Sequence, residues 1–452
     1  MGKLFGTDGI RGIANRQLTP ELAYRVGQAA ALVLRRNYEG KPVVVIGKDT
    51  RISSDMLEGA ITAGLTACGV NVHTLGVIST PAVALITVRS GAAAGIVISA
   101  SHNPYEYNGI KFFGPDGSKL PDEVENAIED LILSKDPLPV CENGDIGITY
   151  DDRHAMDAYI RYLVSTVKGD PHELRVLVDC ANGAASVTAQ RIFARYDLDV
   201  TYINDKPNGV NINAGCGSTH LEELGKLVAQ GCYDVGIAFD GDADRCLAVD
   251  EKGNEIDGDK IMALIARAMK DAGDLRGDGF VATVMSNMGL HKYAQANGFT
   301  VLCADVGDRN VREMMVKQGM VLGGEQSGHI IFLNHMPTGD GQLTALHFLS
   351  IITKYGIPVS SLVEEIKRYP QVLINVPGPH ESAAKAALIA SDAVQTAIRE
   401  QENRLAGDGR ILVRPSGTEA LLRVMVEAGT EETAQSVAND LAQLIKNIQK
   451  YS

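Results

Sequence analysis

Three similar α/β domains followed by a smaller α+β domain is the architecture that this 452-residue sequence predicts. Three observations carry it. The chain is too long for one ordinary core, and its length alone suggests about three domains. Short Val/Ile-rich runs alternate with amphipathic stretches through the first three-quarters, which is the pattern of α/β folds. Six of those runs end abruptly in polar, Gly-rich loops, and they fall into three pairs.

Taken in order, Thr19-Pro20-Glu21 opens a helix, with Thr19 as N-cap, Pro20 at the first helical position and Glu21 favoured by the helix dipole. Val43 to Ile46 is a strand that runs into Gly-Lys-Asp49-Thr-Arg51, and Ile96 to Ile98 is one that runs into Ser-Ala-Ser101-His102-Asn-Pro. The second pair is Val176 to Val178, ending in Asp-Cys-Ala-Asn-Gly, and Val235 to Phe239, ending in Asp240-Gly-Asp242-Ala-Asp244. Between them Thr219 and Glu222 have the spacing of a capping box for a helix over Leu221 to Gln230. The third pair is Val281 to Val284, before Met-Ser-Asn-Met-Gly, and Val321-Leu322, before Gly-Gly-Glu325-Gln-Ser327-Gly-His329. Open α/β sheets bind ligands beyond the carboxyl ends of their strands, so the second loop of each pair is a candidate wall of one shared site.

The last part differs. Glu381 to Asn403 reads as one long Ala-rich helix, two short strands flank Arg414-Pro-Ser416-Gly417-Thr418-Glu419, and Glu431 to Gln449 is another helix. The expected domains are residues 1–152, 153–254, 255–368 and 369–452, with Tyr369-Pro370 as the last boundary and Tyr369 to Gln371 as a hinge on which the final domain opens and closes.

Composition narrows the function. A net charge of −14 argues against a general nucleic-acid binder, which needs a basic face, but leaves room for a small phosphorylated substrate. Seven cysteines, an odd number with no C-x-x-C spacing, fit reduced thiols in a cytoplasm better than a disulfide framework or a zinc site. No apolar run approaches the ~20 residues of a membrane span, and no signal-peptide core opens the chain.

Four loops carry chemistry. The Ser101 corner delivers a hydroxyl, an imidazole and an amide at the end of an apolar strand, with Asn108-Gly-Ile-Lys111 following closely. A bare turn starting at Asn-Pro explains the corner equally well, and no G-x-S-x-G elbow points to a hydrolase. Asp240, Asp242 and Asp244 are the strongest signal. Carboxylates ~4 Å apart repel by roughly 4 kcal/mol at an effective dielectric of 20, so three converging ones call for a cation. All-oxygen ligands select a hard ion, and three carboxylates with few other donors favour Mg²⁺ over Ca²⁺. An EF-hand loop is disfavoured: Glu251 falls at its twelfth position, but the sixth, which needs Gly, holds Arg245, and Cys-Leu-Ala-Val-Asp after it reads as a strand.

Glu325, Ser327 and His329 alternate, so an extended loop would project all three to one side, as a reader of sugar hydroxyls requires. Small hydroxyl residues around Gly417, with Arg414 beside them, suit an anion, although the Walker ending is absent. Read singly, the last two are no better than polar turns. Together the four are parts of one reaction class, phosphoryl transfer on a phosphosugar.

With these motifs in order and at these spacings, and with Phe5-Gly-Thr-Asp-Gly-Ile-Arg11-Gly near the start, the chain resembles the α-D-phosphohexomutase superfamily over its whole length. Gln326 and the Ile-Lys-Phe-Phe ending after Gly109 look like its glucosamine branch rather than its phosphomannomutase or phosphoglucomutase branches. The resemblance implies that Ser101 is phosphorylated and ligates Mg²⁺ with Asp240, Asp242 and Asp244. It implies that Arg11, Lys111 and Arg245 offset charge around the phosphoryl group. Lys111 and His102 are both candidates for the proton-transfer role, and the sequence does not choose between them. Glu325, Ser327 and nearby His329 read the sugar, and Arg414, Ser416, Gly417 and Thr418 hold the phosphate that is not reacting.

The implied reaction interconverts glucosamine 6-phosphate and glucosamine 1-phosphate through glucosamine 1,6-bisphosphate, feeding UDP-N-acetylglucosamine synthesis in amino-sugar metabolism. The implied setting is cytoplasmic, with no nucleic acid and no membrane, and the implied assembly is a homodimer. Two departures from the family pattern stand out: Tyr107 where Asp is usual, and Ala420 where Pro is usual. The competing readings are a phosphomannomutase/phosphoglucomutase of the same superfamily and a non-catalytic, Mg²⁺-dependent sugar-phosphate-binding protein.

Overall fold

A computed structural model describes residues 4–6, 8–38, 40–134, 136–416 and 419–451. The chain divides into two compact units, Met1–Met285 with Phe299–Glu364, and Ser286–Gly298 with Glu365–Ser452.

The first unit holds three sheets. One is built from β1 (Ile10–Ile13), β2 (Val43–Lys48), β3 (Asn71–Val77), β4 (Ala94–Ile98), β5 (Tyr107–Phe113) and β6 (Thr149–Asp151), in the order β1-β5-β4-β2-β3-β6. The next uses β7 (His172–Asp179), β8 (Asp197–Ile203), β9 (Val235–Phe239), β10 (Cys246–Asp250) and β11 (Glu255–Ile256), in the order β11-β10-β9-β7-β8. The third uses β12 (Gly279–Thr283), β13 (Thr300–Ala304), β14 (Leu322–Gly324) and β15 (Ile330–Phe332), in the order β13-β12-β14-β15.

One four-strand pattern recurs in all three. The leading strand pairs in parallel with the next strand and with the one after it: β2 with β3 and β4, β7 with β8 and β9, β12 with β13 and β14. A hairpin then adds an antiparallel neighbour: β5 on β4, β10 on β9, β15 on β14. The expected threefold repeat is therefore present in the topology. Every residue of β4, β9 and β12 is buried, which is why these segments read as unbroken apolar runs rather than alternating ones. The core beneath the first sheet gathers Val44, Ile46, Ile96 and Ile98 with Ala30, Ile61 and Leu65 from the helices Pro20–Leu34 and Ser54–Ala67.

The second unit holds β16 (Gln371–Pro377), β17 (Gly409–Pro415) and β18 (Leu421–Ala428), antiparallel in the order β16-β18-β17. Val376, Val424 and Val426 pack on Val394 and Ala397 of the helix Asp392–Leu405 and on Val437 and Leu441 of the helix Glu431–Tyr451.

Two local expectations are corrected. Thr219 and Glu222 form no capping box: Gly217–Thr219 is a 3₁₀ turn closed by His220 N–H on the Gly217 carbonyl, and the helix Glu222–Gly231 starts from Leu221 without a side-chain cap. The turn uses up the residues that would have reached the helix end. The long helix over 381–403 is two helices, Ser382–Ala390 and Asp392–Leu405, because Ser391 is extended and its Oγ caps the second by accepting from Val394 N. Ser competes for backbone donors in this way and so favours caps over helix interiors. By contrast, Thr19 caps the helix Pro20–Leu34 as expected, accepting from Leu22 N at 3.2 Å.

Candidate active site

The repeated hairpin places the chemistry. Its crest between β4 and β5 carries Ser101 and His102, the crest between β9 and β10 carries Asp240 to Asp244, and the crest between β14 and β15 carries Glu325 to His329. Ser101 Oγ lies 2.7 Å from Asp240 Oδ2 and 3.2 Å from His102 Nδ1. Ser101 has φ +52 and Ala243, inside the acidic loop, has φ +56. Non-glycine residues in this left-handed region carry strain, which persists only where the surroundings over-determine the turn. Gly241 accounts for how closely the two crests approach: a Cβ there would stand 2.6 Å from the Ser101 carbonyl oxygen.

Asp240, Asp242 and Asp244 present ligand oxygens that all lie within 4.8 Å of one another. Asp242 Oδ2 accepts from Lys111 Nζ and from Thr80 Oγ1, both at 2.8 Å, and Asp244 Oδ2 lies 3.5 Å from His329 Nδ1. Asp242 Oδ1 and Asp244 Oδ1 are buried and accept no hydrogen bond. Burial first, then the Asp244 and Asp242 charges, pushes Asp240 well above the usual carboxylate range. Buried carboxylate oxygens with no donor are the mark of a hard-cation site, so the residues present fit Mg²⁺.

The cations around the trio are unequal. Lys111 is buried, which alone would lower its ammonium, but the Asp242 charge overrides this and raises it, so Lys111 stays charged. Burial would likewise lower Arg245, and Asp244 and Asp240 raise it; its backbone N–H also donates to Asp240 Oδ1 at 3.2 Å. Arg11 pairs with Asp8 at 3.2 Å, and its buried Nε makes no hydrogen bond. Burial, then the charges of Arg245 and Arg11, takes the His102 imidazole down to about 4, leaving it neutral near pH 7. Tyr107, one of the departures, opens β5 opposite Ile13 and leaves the Lys111 pair with Asp242 in place.

Glu325, Ser327 and His329 stand on a turn rather than on the extended loop expected. Residues 325–328 make a tight turn, with Gly328 N on the Glu325 carbonyl, and Glu325 N donates to the His329 carbonyl. The segment is a hairpin crest rather than an extended loop, so the period-two projection is lost. Glu325 Oε1 accepts from Gly307 N at 3.1 Å, Ser327 is half-buried, and His329 is buried. Burial disfavours an imidazolium at His329, and the Asp244 carboxylate works against that. The Gly339 N–H donates to its Nε2 at 3.1 Å, and an imidazolium has no lone pair to accept that bond. The backbone donor is fixed, so we read the ring as neutral with its proton on Nδ1, facing Asp244.

In the second unit Arg414 and Arg423 are cross-strand partners on β17 and β18, and Nε of each is buried without a hydrogen bond. Burial and then the Arg423 charge lower the Arg414 guanidinium. Like charges directly opposite are destabilising unless an anion joins them. Ser416 is buried and its Oγ accepts from Glu419 N at 3.3 Å, while Ala420, the other departure, receives Gly378 N–H on its carbonyl. Lys385 reaches in from the helix Ser382–Ala390 and donates to the carbonyls of Ser416 and Glu419. Gly417 and Thr418 lie outside the described residues.

Four successive models of the phosphoglucomutase/phosphomannomutase family match the chain: α/β/α domain I over residues 2–138, domain II over 157–253, domain III over 257–369 and the C-terminal domain over 373–444. The chain belongs to the phosphoglucomutase/phosphomannomutase family. Among curated members of this family it is 51% identical over 446 residues to the phosphoglucosamine mutase of Shouchella clausii and 50% identical over 447 residues to that of Geobacillus thermodenitrificans, covering 99% of each chain.

Solved structures of the family share the fold. One is a phosphoglucomutase/phosphomannomutase family protein from Burkholderia thailandensis, at 23% identity and a TM-score of 0.80, covering 99% of this chain and 97% of that one. Another is the Aspergillus fumigatus N-acetylphosphoglucosamine mutase, solved with GlcNAc-6P and magnesium, at 19% identity and a TM-score of 0.70, covering 98% and 95%. Among the described residues no helix is long and apolar enough to cross a membrane.

Sequence reasoning missed several residues around this family's serine turn. Asp49 and Arg51 fall in the polar loop that follows the Val43 to Ile46 run, where two opposite charges just beyond a buried strand are a signal. Asn213 and Thr80 offered none, because each matters through a partner more than 100 residues away. Lys385 was a single charge inside an Ala-rich helix, which marks a residue buried for a reason.

Proposed function

We propose that this member of the family is a phosphoglucosamine mutase, interconverting glucosamine 6-phosphate and glucosamine 1-phosphate. The observation that carries the reaction class is the contact of Ser101 Oγ with Asp240, 2.7 Å, inside a trio of carboxylates with two donorless oxygens. The sugar is carried by the half-identity to phosphoglucosamine mutases over 99% of the chain.

Asp240, Asp242, Asp244 and a phosphorylated Ser101 would hold Mg²⁺. When bound it neutralises charge on the phosphoryl oxygens and on the Ser101 oxygen as it leaves. The chain's own residues do the rest. Phospho-Ser101 loses its P–O bond as the free O1 of glucosamine 6-phosphate forms one, and the O1 proton passes to a base. His102 is neutral and touches Ser101 Oγ, whereas Lys111 is a charge held on Asp242. His102 is therefore the proton carrier, and Lys111, Arg245 and Arg11 offset phosphoryl charge. The product, glucosamine 1,6-bisphosphate, turns end for end, and its O6 phosphoryl returns to Ser101. Arg414 and Arg423, with Ser416, take the phosphate that is not reacting, and Glu325 and Ser327 read the sugar. The four domains proposed from the sequence, 1–152, 153–254, 255–368 and 369–452, each contribute one of these loops.

The test compares kcat/KM for glucosamine, glucose and mannose 6-phosphates, with Ser101→Ala alongside. Glucosamine 6-phosphate is preferred, and Ser101→Ala loses mutase turnover while still binding the phosphosugar in Mg²⁺. A clear preference for glucose 6-phosphate would overturn the substrate, and full turnover by Ser101→Ala the phosphoserine.

A further inference from the structure

Ser101 is held in its left-handed turn by donors that the reaction itself does not use. Its N–H donates to Ser99 Oγ at 2.9 Å, and Ser99 in turn donates to Asp49 Oδ2 at 2.7 Å. Its carbonyl accepts twice, from Arg51 Nη2 at 2.8 Å and from Asn213 Nδ2 at 2.9 Å. The same two nitrogens reach the Asn103 carbonyl, at 2.8 and 3.1 Å, and Arg51 also donates to the Pro104 carbonyl.

Arg51 is oriented by Asp49, Nε to Oδ2 at 2.9 Å, and neither side chain is exposed to solvent. Asn213 comes from the loops of the second sheet, with its own N–H tied to the Ala181 carbonyl at 2.9 Å. The peptide planes on both sides of Ser101 are thus fixed, and rotation about its Cα–Cβ bond is the freedom left to the hydroxyl. One anchor comes from the sheet that carries Ser101 and the other from the sheet that carries the acidic trio, so the pair also sets the spacing between the two crests.

We infer that Arg51 and Asn213 are positioning residues for phosphoryl transfer, acting through the Ser101 backbone without touching the transferred group; this rests on the phosphoserine reading above. Reacting groups misplaced by about 1 Å lose on the order of 100-fold in rate. A donor lost on one side of the Ser101 carbonyl lets that turn relax, which slows transfer without altering how the sugar binds.

Asn213→Ala and Asn213→Ser test this, since neither introduces or strands a buried charge, whereas losing Arg51 strands Asp49. Arg51→Lys is the second probe: it keeps a cation against Asp49 but lacks the planar fork that serves three carbonyls. Steady-state kinetics on glucosamine 6-phosphate and single-turnover transfer from the phosphorylated enzyme are the readouts, with the folded fraction from circular dichroism. The expected result is a fall of roughly 10–100-fold in kcat and in single-turnover rate at KM within about twofold. Unchanged kcat, or a loss no larger than the loss of folded protein, overturns the inference. If Ser101→Ala is inactive while the Asn213 variants are wild-type, the positioning role alone falls. If Ser101→Ala is active, the phosphoserine reading falls first.

Discussion

Asp242 uses its two oxygens differently. Oδ2 takes Thr80 and Lys111, both at 2.8 Å, and Oδ1 takes no donor. A cation therefore relieves a cost that the folded state otherwise bears, and adding MgCl₂ to chelator-treated protein raises Tm, because whatever binds the native state alone stabilises it. Asp242→Asn loses most of that increment in a thermal melt; an equal increment in both proteins would remove Asp242 from the site.

His347 gives a second residue-scale prediction. Burial, then His335, holds its imidazole down to about 3, and its ring stacks on Phe332 with centroids 4.5 Å apart. The unfolded chain takes a proton near pH 6.5 that the folded one refuses, so this group's contribution is intact above pH 6.5 and is lost as pH falls towards 3. The slope approaches about 1.4 kcal/mol per pH unit. Asp340, raised to about 6 mainly by burial, works in the opposite sense below that pH, so the comparison must be with His347→Phe. Urea unfolding at pH 7 and 5 shows a smaller acid loss in the variant, and equal losses would refute the assignment. The acidic trio was legible because three identical ligands sit on one loop. Asn213 was not, because its hydrogen bonds to the Ser101 turn cross from one sheet to another.

At the scale of elements, two threonines with similar sequence surroundings part ways. Thr19 caps its helix through Leu22 N, with Pro20 pre-set for the first turn. Thr219 sits in a 3₁₀ turn and caps nothing by side chain. Thr19→Ala costs about 1 kcal/mol, while Thr219→Ala stays within ~0.5 kcal/mol; urea midpoints of the two variants check this, and equal losses would contradict it. Both motifs were read from local spacing, and spacing is enough only where the backbone arrives extended, as at Thr19 with ψ 160. The crest at Glu325 departs from the extended loop expected there for a related reason. Alternation assumes an extended chain, and a four-residue turn closed by Gly328 N–H breaks it.

For the whole molecule, the threefold repeat was legible because β4, β9 and β12 are buried along their full length and end in polar loops. The make-up of the second unit was not. Ser286–Gly298 follows β12 in sequence, yet it forms one compact unit with Glu365–Ser452. There Asn287 Nδ2 donates to Glu427 Oε1 at 3.3 Å and to the Tyr369 carbonyl at 3.0 Å, and Met288 N donates to Glu427 Oε2 at 2.8 Å. Arg410 also pairs with Glu427, which is fully buried. A fragment of residues 365–452 consequently leaves Glu427 short of donors, and a peptide of residues 286–298 added in trans raises its melting temperature; no shift would mean that the segment contributes nothing. The same arrangement imposes an order on synthesis. Residue 298 leaves the ribosome 129 residues before Glu427, on the order of ten seconds at ordinary translation rates. Through that interval the helix Met288–Ala296 exists without the strands it will pack with, and the second unit closes only when translation is nearly finished.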